Sequence, residues 1–123
     1  MREIHTHKTS DFARDHFDVI AVDELGSGGA HHEYLIRTKD KAGATVAELT
    51  LKYQHGPIAN GVNGILDEAL LAVVADRLKA FSEGEFRSRE TSLAYTNVQQ
   101  ALLWMQERQR ERASRGVQGK LEK

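Results

Sequence analysis

Three arginines near the C-terminus offer the clearest chemistry in this chain. Arg108, Arg112 and Arg115 recur at steps of four and three, a spacing that sets them along one side of a helix. They prolong an apolar stripe made of Ala94, Val98, Ala101, Leu102 and Met105. Like charges four residues apart repel by about 0.2–0.5 kcal/mol, and the planar guanidinium fork matches phosphate oxygens in pairs. The pattern therefore admits an anion site. It equally admits a solvated helix end, because cations complement a helix C-terminus and Glu107 and Glu111 interleave to give surface ion pairs.

A second candidate is the stretch Gln54–Gly64, "QHGPIANGVNG", placed between a strand-like run and a helical one. A nucleotidase P-loop ends in Gly-Lys-Ser/Thr, whereas this loop ends in "NGIL", so Walker-type chemistry is excluded. Backbone N–H groups at a helix N-terminus can still meet an anion, which brings Asn63 into the candidate ligand set. The simpler reading is that Asn60-Gly61 and Asn63-Gly64 are turn pairs setting the angle between strand and helix.

Other chemistry is poorly supported. The six histidines include His5 and His7 on one strand face and the adjacent His31 and His32, but HExxH is absent and no ligand spacing is completed. No metal or cofactor is expected. Glu48, Asp67, Glu68 and Asp76 are explained by solvent-facing positions, no serine lies in GxSxG, and no nucleophile–base pair is visible, so an enzyme is not expected. Phe81 and Phe86 flank "SEGE". They serve either as core plugs or, beside an arginine-lined cleft, as stacking platforms worth about 1–3 kcal/mol per base. Trp104 lies next to the apolar stripe and suits packing against another subunit.

These residues need elements to hold them. "HFDVIAV" at His16–Val22, "HEYLIRT" at His32–Thr38 and "TVAELTLKY" at Thr45–Tyr53 are strand-like, the last alternating with a period of two. Short connections favour antiparallel neighbours, and "REIHTH" is a possible extra edge strand. Residues 64–83 carry Leu66, Leu70, Val73, Val74, Arg77, Leu78 and Phe81 at helical steps, and Gly84 suits the end of that helix. Ser88 caps a second helix over 89–114, Gly116 stops it, and 116–123 forms a loose tail. The expected fold is α+β: one domain over 1–123, with an antiparallel sheet over about 1–55 followed by two helices packed on one face of it.

The chain's 123 residues are 40% hydrophobic and 28% charged, with a formal charge of −1 and no cysteine. Disulfides and thiol chemistry are excluded, and no strong field favours duplex nucleic acid or an anionic membrane. Without an apolar N-terminal run or a window near the ~20 apolar residues of a membrane span, the expectation is a soluble cytoplasmic protein.

Several segments together resemble the first described family of phage Thoeris anti-defence proteins. They are "GP" at Gly56-Pro57, "GVNG" at Gly61–Gly64, "LL..V..RL..F" at Leu70–Phe81, "AL.W" at Ala101–Trp104, "R...R" at Arg108 and Arg112, and "RGV.G" at Arg115–Gly119. The likeness covers the C-terminal two-thirds. It implies a non-enzymatic sponge that sequesters a cyclic ADP-ribose-type signal, glycocyclic ADP-ribose, at the interface of a homodimer that often assembles into a homohexamer. It also implies that Phe81 contacts the base and that Arg108 and Arg112 contact the phosphates. At the position where the family commonly has a ligand-holding asparagine, this chain has Thr91. Some members also bind cyclic oligonucleotides near the "GP" loop with basic residues, where Ile58 and Ala59 stand here. The alternative reading is a phage structural or interaction module that docks a protein through the arginine-rich helix end.

Overall fold

A computed structural model describes residues 1–116; the tail foreseen over 116–123 lies, beyond Gly116, outside the described residues. The fold is α+β. The chain divides into two compact units, Met1–Ile65 and Leu66–Lys123.

The first unit is a four-stranded antiparallel meander, in the order β1 (Arg2–Ile4), β2 (Phe17–Ala21), β3 (Glu33–Lys39) and β4 (Thr45–Lys52). The "REIHTH" run therefore does supply an edge strand. A short helix, α1 (Asp11–His16), precedes β2; its six residues are too few to give a readable period of 3.6. Between β3 and β4 the turn is closed by Asp40, whose carboxylate accepts from the Ala42 and Ala44 N–H groups, both at 2.9 Å. Gly43 supplies the positive φ of 87° that this turn needs.

Register sorts the sheet into two faces. Ile4, Val19, Ile36 and Leu49 align across all four strands, and Ala21, Tyr34 and Leu51 form the next row. Ala21 and Leu51 are the buried apolar residues among those described, at 0% and 8% exposure. On the opposite face Asp18, Arg37 and Glu48 align. Alternation along β2, β3 and β4 thus separates an apolar face from a charged one.

The second unit is a helical hairpin, α2 (Asp67–Glu83) and α3 (Arg89–Ser114). Ser88 begins α3: its hydroxyl accepts from the Thr91 N–H at 3.1 Å. Gly116, at φ 71°, lies just past the helix end. Gly84 follows α2 in an extended conformation, its N–H bonded to the Phe81 carbonyl. Gln109 of α3 donates to the Glu68 carboxylate in the first turn of α2, and the two helices are joined at the other end by Gly84–Ser88. They therefore run antiparallel. The half-buried positions of α2 include Glu68, Leu71, Ala75, Leu78 and Ser82; those of α3 include Thr91, Tyr95, Val98, Leu102, Met105 and Gln109. Both series step alternately by three and four, the repeat of a coiled-coil seam.

The stripe expected on α2 coincides with this seam only in part. Leu78 lies in the seam and Leu70 is half-buried, but Leu66, Val73, Val74 and Phe81 are 43–58% exposed, while Leu71 and Ala75, outside the expected stripe, are half-buried. This helix is apolar around most of its circumference, so periodicity alone does not say which side faces its neighbour.

Candidate ligand site of the helical hairpin

The arginines divide by environment. Arg112 continues the seam and is buried, at 8% exposure. Arg115 is exposed and grips Glu111 with two nitrogens, Nε at 2.5 Å and Nη2 at 3.1 Å. Arg110 pairs with Glu107 at 2.5 Å. Arg108 is exposed and makes no hydrogen bond or ion pair with another described side chain. The interleaved carboxylates therefore occupy Arg110 and Arg115, while Arg108 stays open beside the buried Arg112. The Gln109–Glu68 bond lies between those two arginines in sequence and fixes the rotation of α3 there.

Phe81 and Thr91 occupy the other end of the hairpin. The Phe81 ring is 47% exposed, and the Arg77 guanidinium lies over it, 5.5 Å from the ring centroid. One face of the ring is thus covered by a cation, an attractive arrangement. Thr91 is half-buried; its hydroxyl accepts from the Ser88 hydroxyl at 2.9 Å and keeps its own proton to donate. Phe81 lies thirteen helical steps beyond Glu68 on α2, about 20 Å at 1.5 Å per residue. Within one chain, then, the aromatic end and the arginine end are well apart.

Asn63 belongs to the first unit, and its amide is committed there. It accepts from the His55 N–H and donates to the His55 carbonyl, both at 2.8 Å. Its own N–H is given to Gln54 Oε1 at 2.9 Å, while Gln54 Nε2 donates to the Gly56 and Gly61 carbonyls. Two side-chain amides therefore clamp the loop from within. At Gly64 a Cβ would lie 2.5 Å from the Tyr53 carbonyl oxygen, and Gly61 has φ 129°. At the N-terminus of α2, Asp67 and Glu68 already place negative charge against the helix dipole, which disfavours a phosphate there.

The histidines are dispersed into local roles. His7 Nε2 donates to the Phe17 carbonyl and His16 Nδ1 to the Lys39 carbonyl, each at 2.8 Å. His32 and His55 stack at 4.5 Å. Among the described residues no three potential metal-ligating side chains gather, and no helix is long and apolar enough to cross a membrane.

Residues 48–110 match the family model described as Acb2/Tad1, hairpin domain. The match starts within β4 and includes Asn63, all of α2, Phe81, Thr91 and Arg108. The chain belongs to the Acb2/Tad1 hairpin family. One relative, "Thoeris anti-defense 1" of Bacillus phage SBSphiJ7, is 39% identical over 99 residues, covering 80% of this chain and 66% of the relative. The chain thus spans just under two thirds of that relative's length. For this Acb2/Tad1 hairpin, sequence had singled out Phe81 and the arginines. It had not singled out Arg77, whose i, i+4 spacing to Phe81 was the available signal, or the Glu68–Gln109 tie, which only the pairing of the helices creates.

Proposed function

We propose that this protein is a phage anti-defence sponge. It sequesters a cyclic ADP-ribose-type signal of the Thoeris immune system, glycocyclic ADP-ribose, between two copies of the chain and does not cleave it. The observation that carries the reading is the division of the hairpin into two incomplete halves. One end offers the open Arg108 beside the buried Arg112; the other, about 20 Å away, offers the half-open Phe81 ring and the Thr91 hydroxyl. Two hairpins packed antiparallel set Phe81 of one copy beside Arg108 and Arg112 of the other, giving a base platform and a phosphate clamp in one pocket. The uncovered apolar side chains Val73, Val74, Leu103 and Trp104 supply the surface on which the copies meet. The name of the Bacillus phage relative supports the anti-defence role.

The test is to incubate the protein with glycocyclic ADP-ribose, remove free nucleotide by gel filtration, and heat the protein fraction. Intact ligand in the heat-released material, identified by mass spectrometry, is the expected result. A chemically altered product would mean an enzyme. Failure to retain any nucleotide would favour a protein-docking role for the arginine-rich end.

A further inference from the structure

The charged face of the sheet holds a cluster that the hairpin site does not use. Asp18, on β2, is buried at 6% exposure. Arg37 donates to its Oδ2 through Nε at 3.2 Å and Nη2 at 3.1 Å. Lys39 Nζ lies 3.4 Å from the same oxygen, and Lys8 Nζ 3.9 Å from Oδ1. Three cations thus share one carboxylate. Among the described residues, the other acids nearby do not make up the difference. Asp40 is turned into its own hairpin turn, Asp15 pairs with Arg14 at 3.7 Å and Glu33 with Lys52 at 3.7 Å. Glu48, aligned with Arg37 on β4, is exposed and makes no ion pair among the described residues.

Solvent screens this surplus only in part. The Lys8 side chain is 11% exposed, so its ammonium is held where repulsion is strong. Arg37 and Lys39 are about one-third exposed, at 33% and 32%, and an incoming anion can reach them. The backbone beneath is held in place: His7 bonds the Phe17 carbonyl next to Asp18, and His16 bonds the carbonyl of Lys39 itself. Hydrogen-bond donors fixed around uncompensated charge are what a tetrahedral oxyanion requires.

We propose that Lys8, Arg37 and Lys39 form a binding site for a phosphoryl group, with Asp18 as a built-in partial counter-ion. Arg37 supplies the Nη1 that Asp18 leaves unused, Lys39 the second contact from the same strand, and Lys8 the charge behind them. A doubly charged phosphate brings this cluster to neutrality; chloride does so only halfway. The site lies on the sheet unit and is independent of the proposed function of the hairpin.

Amide-resolved NMR titration with inorganic phosphate, at constant ionic strength against chloride, tests it. The expected result is saturable shifts at Lys8, at residues 17–19 and at residues 37–39, weakened at least about five-fold in Lys39→Met. Phosphate should also raise the melting temperature of Asp18→Asn more than that of the unmodified protein, because the anion then replaces the missing carboxylate. Shifts that grow linearly without saturating, or that are unchanged in Lys39→Met, would overturn the proposal, as would equal stabilisation of the two proteins. The Lys39→Met titration decides the matter if Asp18→Asn fails to fold.

Discussion

At the residue scale, burial separates two arginines that sequence treats alike. Arg112 is buried in the hairpin seam and Arg115 lies in a surface fork with Glu111. Truncating one partner of a buried charged contact costs about 2–5 kcal/mol. Arg112→Ala is therefore expected to weaken glycocyclic ADP-ribose binding at least about ten-fold by calorimetry, whereas Arg115→Ala changes it far less. Equal effects of the two substitutions would contradict the assignment; a melting curve for each variant controls for loss of fold. Asp18 gives a pH prediction. Burial alone would raise its carboxyl, but the hydrogen bonds and charges of Arg37 and Lys39 outweigh it and hold the group below its ordinary value of 3.8. A depressed carboxylate contributes stability that is complete above its unfolded value and is lost as pH falls through its lower folded value. The urea unfolding midpoint is thus expected to fall below about pH 4, and Asp18→Asn to show a shallower loss of stability over that range.

At the element scale, the loop between β4 and α2 matters through its geometry. Gln54 and Asn63 bond to the loop's own backbone, and Gly64 passes against Tyr53. Gly64→Ala is expected to lower stability by about 1–3 kcal/mol by forcing two backbones apart, read as a shifted denaturant midpoint. An unchanged midpoint would show that the loop relaxes freely. Ser88 and the alternation of β4 were legible because each acts within a few residues of chain. The α2 face that meets α3 was not, since Val73 and Val74 are as apolar as Leu71 and Ala75, and only the partner helix chooses between them. The Asp18 cluster was equally hidden, because cross-strand register joins residues 18 and 37.

At the scale of the whole molecule, the exposed apolar side chains set the expectation. Trp104 is 74% exposed, Leu103 63% and Val73 58%, more than scattered surface residues require. Light scattering is expected to give a mass of two or six chains, with Trp104→Asp shifting it toward one; a monomer at micromolar concentration would overturn the proposed two-copy pocket. The antiparallel meander, the two long helices and the family were written in local periodicity, turn residues and motif spacing, because these signals act between near neighbours along the chain. The tertiary structure decided which arginine is buried, where Asn63 spends its amide, and how three cations come to surround one aspartate. Those outcomes depend on contacts between residues far apart in sequence, formed only when strands pair and helices pack.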